Sequence, residues 1–336
     1  MGLAITDYTA ATGALREIYD RMRERSLPPI YRPPHGGVPG IVTAHSLDPA
    51  LIPKVFAAAT TLDSAGPLTW PERELVSAVT SRLGQCFYCM ASHTEFMRVA
   101  QGDEAAARGV LEDPQEIAAR WPDARLRMLA ELALVVTETP WTLSRKHLAR
   151  AHQAGLSDED VLHVVTLSSY IGHQCRIAAA TGVPLDYEVK LEPPPIDRAK
   201  APWPVAPSLL AGRPAIDIAR RPATANAFTE WKHYIFYSHD APLTRRQRTL
   251  VARWVATWLG DGGISPPTDL TFNPLDDALR TLAEVVTLQP WQITDDTFAP
   301  LRRAGFDDRG VFDVCATASS AGVFSRIEVA LAALSA

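Results

Sequence analysis

The chain has 336 residues, 47% of them hydrophobic, and a net charge of -5 from 33 Lys+Arg against 38 Asp+Glu. This is the composition of a folded globular protein and not of a disordered chain, and mild acidity without a basic run argues against nucleic acid as a partner. No apolar run reaches about 18 residues, so no membrane-spanning helix is expected. The opening Met1-Gly2-Leu3-Ala4-Ile5-Thr6-Asp7 lacks the basic and apolar regions of a signal peptide, so the cytoplasm is the expected compartment.

Thr12 to Arg25 reads as an amphipathic helix, ending before Pro28-Pro29. Ser26 to Gly40 is rich in Pro and Gly and contains Pro33-Pro34-His35-Gly36-Gly37, which excludes regular helix. Its length suits a lid or rim loop, with a plain surface connection as the alternative. Leu51 to Leu62 is apolar at helical period. Thr69 is placed to cap the next helix, with acidic residues in its first turn and Gly84 just beyond its end. Further helices are expected from near Cys86 to Ala100, Arg125 to Thr137, Ser144 to Ala154 and Asp158 to Thr181. Gly155 and Ser157 act as stop and start between the last two. No run alternates with period two, so the fold class is all-α.

Pro184 to Pro207 breaks the pattern with Pro193-Pro194-Pro195 and Pro202-Trp203-Pro204, and it reads as an extended, semi-rigid linker. Beyond it the sequence repeats itself. Pro67-Leu68-Thr69 returns as Pro242-Leu243-Thr244, at an offset of 175. Val135-Val136-Thr137, Pro140-Trp141, Ala154-Gly155, Gly172 and Arg176-Ile177 all return at a constant offset of 150. The expected organisation is therefore a helical domain over 1–185, a linker over 186–207 and a second, shortened copy over 208–336. The second copy has no cysteine pair and carries Thr249 where the first has Glu74.

Four cysteines, two of them three residues apart, are not a disulfide framework; in a reducing compartment such a pair signals redox or metal chemistry. The segment is Cys86-Phe87-Tyr88-Cys89-Met90-Ala91-Ser92-His93. On a helix, Cys86, Cys89 and His93 share one face. The cysteines fall in the first turn, where free amides and the helix dipole favour a thiolate, and His93 is placed to take the thiol proton. Glu74, on the preceding helix, can extend a proton relay. A zinc site is the weaker reading, because two Cys and one His fall short of four ligands. Core filling is a further alternative.

Glu74-(x11)-Cys86-x-x-Cys89-x-x-x-His93 resembles the alkyl hydroperoxidase D-like superfamily, also called the carboxymuconolactone decarboxylase family. Ala14-Leu15-Arg16-Glu17-Ile18-Tyr19-Asp20, Val38-Pro39-Gly40-Ile41, Asp48-Pro49 and Pro67-Leu68-Thr69 keep that family's order, and the helices from Ala154 to Ile177 resemble its closing part. The resemblance spans about residues 10–185 and, in degenerate form, 208–336. It implies two tandem all-helical domains, a homo-oligomer (a dimer or trimer) and no cofactor. It also implies a peroxidase in which Cys89 attacks a hydroperoxide and Cys86 resolves the product to a disulfide. His93 and Glu74 would relay protons, and a dithiol such as a dihydrolipoyl protein would be the reductant. The family's best-known peroxidase has a second His just before the second Cys, where this chain has Tyr88. The relay is then weaker or runs through the phenol. Tyr88 and His173 are the further candidates for the pocket, while Cys175 and Cys315 read as buried structural thiols. Two other functions compete. One is a lyase or isomerase acting on a small carbon acid, with His93 and Glu74 as acid and base. The other is a binding protein with vestigial chemistry.

Overall fold

The computed structural model describes residues 2–24, 31–64, 66–210, 212–237, 241–266 and 273–336. Among these residues there are fifteen α-helices, and an isolated bridge, Leu210 with Asp261, stands outside any ladder. The first half comprises α1 (Gly13–Arg23), α2 (Gly40–Thr43), α3 (Leu51–Ser64), α4 (Trp70–Leu83) and α5 (Phe87–Gln101). It continues with α6 (Glu104–Glu112), α7 (Pro114–Arg120), α8 (Ala124–Glu138), α9 (Arg145–Gln153) and α10 (Asp158–Thr181). The second half comprises α11 (Pro222–Tyr237), α12 (Arg245–Leu259), α13 (Pro274–Leu288), α14 (Asp295–Arg303) and α15 (Asp308–Ala333). Residues 26–30 of the Pro/Gly-rich stretch lie outside the described residues, as does Pro267 in the segment between α12 and α13.

The helix starts follow from local chemistry. Thr69 and Glu72 form a reciprocal capping box at α4, and Ser157 and Asp160 form another at α10, each satisfying amides that the first turn leaves free. Two helices, α6 and α7, were not expected from periodicity; Asp103 and Asp113 cap them.

Helices α8, α9 and α10 begin at 124, 145 and 158, and α13, α14 and α15 begin at 274, 295 and 308, so all three recur at an offset of 150. Helices α10 and α15 pack against each other and are buried over nearly their whole length. By length and composition α15 is apolar enough to cross a membrane, but here it is a core helix.

Two arginines hold these halves together. Buried Arg176 donates to the carbonyls of Val286 (2.7 Å) and Thr287 (3.0 Å) in the last turn of α13. Arg326 donates to the carbonyl of Thr137 (3.3 Å) in the last turn of α8. Carbonyls at a helix C-terminus lack amide partners and carry negative partial charge, so a guanidinium fits there without a carboxylate. Burial pushes Arg176 down to about 10, which leaves it charged at neutral pH. Gly172 and Gly322 leave room for this: a Cβ at either would meet the guanidinium one turn on, at 3.0 and 2.9 Å.

The segment between the halves is extended, and it is packed, not free. The Trp203 ring is buried and lies 5.3 and 5.8 Å from the guanidinium carbons of Arg176 and Arg326. Gln85 and Asp197 exchange two hydrogen bonds through the Gln85 amide and the Asp197 backbone.

Candidate active site

The turn between α4 and α5 sets the position of the thiols. Gln85 has φ +50, a left-handed conformation that costs a non-glycine residue energy. Its side-chain pairing with Asp197 supplies compensation. The turn places Cys86 at the N-cap of α5, where its sulfur accepts a hydrogen bond from the Cys89 amide at 3.5 Å. Cys89 falls in the first helical turn, as the spacing predicted. Both thiols are buried. Cys89 lines a cavity of about 160 Å³, while Cys86 lies behind it.

The cavity also brings Glu74, Tyr88 and His93 together. His93 Nδ1–H donates to Glu74 Oε2 at 2.9 Å. The other oxygen, Oε1, accepts from the Trp70 indole N–H at 3.2 Å and from the Tyr31 hydroxyl. Tyr31 is pushed far up by burial and by the Glu74 charge, so it is a neutral donor. Glu74 is thus an anchored carboxylate with three donors. It fixes the protonated nitrogen of His93 as Nδ1 and leaves Nε2 as the basic nitrogen. Tyr31, Trp70 and their partnership with Glu74 were not foreseen; nothing in their spacing signals it.

Tyr88 forms part of the wall, but its hydroxyl is committed. It donates to Asp186 at 2.6 Å and accepts from the Ile41 amide at 3.2 Å. Burial and the Asp186 charge push its pKa well up. It is a neutral, tethered phenol. Asp186 also accepts from the Gly40 amide at 2.9 Å. Asp186 and Tyr187, read from sequence as the start of the linker, both line the cavity. So do Tyr31 and Pro39, which makes the described part of the Pro/Gly-rich stretch a rim.

His173 does not line this cavity, and its expected place is corrected. Helix α10 presents Leu167, Tyr170, Ile171 and Gln174 to the cavity, the i, i+3, i+4, i+7 face of a helix. His173 is one residue off that face and points toward α15. It is fully buried, with Nε2 at 3.2 Å from Nε2 of His45 and Nδ1 at 2.9 Å from the Ser319 hydroxyl. His45 Nδ1 is 2.8 Å from the Ile41 carbonyl and must donate to it. It follows that His173 Nε2–H donates to His45, and both rings are neutral. Burial lowers His45 to about 4, and His173 lies well below its usual value for the same reason.

Cys175 is where the fold adds most. Its Sγ joins those of Cys86 and Cys89, all within 4.8 Å of one another, and all three residues are buried. It also contacts the Ser81 hydroxyl at 3.8 Å. Burial raises the Cys175 thiol, but its hydrogen bonds with Cys86, Cys89 and Ser81 and the nearby His93 outweigh it, and the thiol is held well below its ordinary range. Cys86 is pushed up by burial and by its bond to Cys175. Cys89 is pushed up by its bonds to Cys175 and Cys86 as well as by burial. Of the three thiols, Cys175 is the one whose surroundings most favour ionisation. Cys315 stands apart in the core, where burial takes it up to about 12. Among the described residues no fourth ligand atom joins the three sulfurs, one short of a closed structural zinc site.

No protein-family model matches this chain, and no curated protein matches it. Solved structures do. One is described as "alkylhydroperoxidase AhpD core: uncharacterized peroxidase-related protein" from Ralstonia eutropha JMP134. It is 20% identical, covers 56% of this chain and 96% of its own, and has a TM-score of 0.46. Another is an uncharacterized peroxidase-related protein from Silicibacter sp. TM1040, 22% identical over 44% of this chain and 77% of its own, with a TM-score of 0.41.

Proposed function

We propose that the protein is a thiol-dependent peroxidase that reduces a small organic hydroperoxide. The observation that carries this reading is the position of Cys89. It is the member of the sulfur trio that faces the cavity, and the anchored His93–Glu74 pair stands on the same wall. A volume of about 160 Å³ is close to the roughly 150 Å³ known to hold benzene. The rest of the wall is largely apolar, from Val42, Phe56, Leu62, Phe96 and Ile171. The fit is to a hydroperoxide with a compact hydrocarbon body.

The Cys89 thiolate attacks the terminal oxygen of the hydroperoxide. The O–O bond breaks, Cys89 becomes a sulfenic acid, and the departing alkoxide takes the proton that His93 Nε2 accepted from the Cys89 thiol. Cys86 then attacks the sulfenic sulfur, water leaves, and a Cys86–Cys89 disulfide forms. A dithiol, for which a dihydrolipoyl protein is the chemical type, returns both thiols through a mixed disulfide. The Cys89 thiolate forms as its proton passes to the basic Nε2 of His93. The lyase reading is weaker, because three donors, His93, Trp70 and Tyr31, already hold the Glu74 carboxylate.

The second half fits a degenerate copy of the first. Thr249, at the place of Glu74, is exposed, and Ser325, at the place of Cys175, donates to Asp261 at 2.8 Å. Its role in this reading is to cover α10 as a second subunit would, so that a homo-oligomer needs fewer chains. The test is turnover of cumene hydroperoxide with dihydrolipoamide as reductant. Turnover that Cys89→Ser abolishes supports the reading. Absence of turnover, together with cysteine-independent conversion of a carbon acid, would move the assignment to a lyase.

A further inference from the structure

We infer that Cys175 is a third redox-active thiol of this site, an alternative resolving cysteine that closes a Cys89–Cys175 disulfide between α5 and α10. The inference rests on the peroxidase reading for its oxidant, but its geometry stands independently. The three Sγ atoms lie within 4.8 Å of one another. A disulfide needs about 2.05 Å, and rotation of the two cysteine side chains between staggered rotamers is the motion that brings the sulfurs together. Neither helix end is involved on the Cys175 side, because Cys175 sits mid-helix in α10. Its sulfur has no carbonyl partner to hold it. Its contacts are the other two thiols and the Ser81 hydroxyl.

The chemistry asks for a thiolate at the resolving position, since the thiolate is the attacking form. Burial opposes the charge on both thiols, but the hydrogen bonds with Cys86, Cys89 and Ser81 outweigh it at Cys175, whereas at Cys86 the bond to Cys175 adds to it. When Cys89 is a sulfenic acid, Cys175 attacks its sulfur. The S–O bond breaks, the S–S bond forms, and hydroxide leaves as water with the proton that the Cys175 thiol gives up. The pair then holds the two oxidising equivalents delivered by the hydroperoxide. Cys86, left as the free thiol, can attack Cys89 and pass the disulfide to the Cys86–Cys89 position, where an external dithiol removes it. The rival use of three sulfurs, a soft metal ion, would bring up to three buried thiolates together. Arg176, the next residue along α10, already spends its donors on carbonyls.

The experiment compares the full chain with Cys86→Ser, Cys175→Ser and the double variant. Each is treated with one equivalent of cumene hydroperoxide and, separately, with diamide, then mapped by non-reducing peptide mass spectrometry with dimedone as the sulfenic-acid trap. In Cys86→Ser, a Cys89–Cys175 cross-link is expected with both oxidants. Dimedone labelling of Cys89 should be at least about tenfold lower than in the double variant, where the sulfenic acid has no partner. Cys175→Ala replaces Cys175→Ser if the hydroxyl disturbs the core. The inference is overturned if Cys86→Ser labels as fully as the double variant and diamide gives no cross-link. It is also overturned if the chain is isolated with one soft metal ion on the three sulfurs that blocks both oxidants. A diamide cross-link without any peroxide reaction, in a double variant that never labels, retains the third thiol and removes the peroxidase reading.

Discussion

Three histidines buried as neutral rings make the fold acid-sensitive well above the range where carboxylates titrate. Burial takes His45 down to about 4 and His163 to about 3, with the charges of Arg221 and Arg73 adding to the latter, and it lowers His173 strongly. In the unfolded chain each reverts to about 6.5. A folded pKa below the unfolded one means that the unfolded state binds the proton first. Stability is therefore complete above about pH 6.5 and falls as pH drops toward the folded values. At pH 5 each histidine costs the fold about 2 kcal/mol, or about 6 kcal/mol for the three. Asp313 acts in the opposite direction. Burial raises it to about 6, so the folded state takes a proton there before the unfolded state does, which returns about 1.4 kcal/mol at pH 5. Asp48, also raised by burial, adds to that offset. The net loss between about pH 7.5 and 5 is then about 4 kcal/mol, a large share of the 5–15 kcal/mol typical of a domain. Urea unfolding followed by circular dichroism at both pH values measures it. A midpoint at pH 5 equal to or above that at pH 7.5 would refute the assignment of neutral buried rings.

Glu74→Gln should slow peroxide oxidation of Cys89 by about 10²-fold while leaving the unfolding midpoint nearly unchanged. The amide keeps an oxygen for Trp70 and Tyr31 but turns an NH₂ toward His93 Nδ1, which moves the ring proton to Nε2; stopped-flow thiol oxidation is the readout. Asp186→Ala leaves the Tyr88 hydroxyl and the Gly40 amide without their acceptor and should cost about 2–4 kcal/mol by thermal unfolding, with Asp186→Asn losing less. Arg176→Met strips partners from the carbonyls of Gly172, Val286 and Thr287. A loss of about 3 kcal/mol is expected, and Lys cannot restore it because it lacks the planar fork.

Local signals in the sequence were read well where the determinant is local. The N-caps at Thr69 and Ser157 and the stop at Gly84 depend on residues a few positions apart. Helices α6 and α7 were missed because they are short and their apolar faces are completed by other helices, that of α6 by α4 and α5 and that of α7 by α8. Cys175 lies 86 residues beyond Cys89, and only the packing of α5 and α4 on α10 brings the sulfurs together. The same holds for Tyr31, Trp70 and Asp186, whose roles arise from contacts between distant segments. His173 was assigned to the pocket from its helix alone; one position of helical rotation turns it from the cavity to the α10–α15 contact.

The central claim, that Cys89 spends its thiol on a hydroperoxide, is tested most directly by stoichiometry. One equivalent of cumene hydroperoxide is added to the fully reduced chain, and free thiols and the product alcohol are counted together. The account predicts one alcohol formed and two thiols lost per chain, with neither change in Cys89→Ser. Hydroperoxide recovered intact beside a full complement of thiols would contradict it.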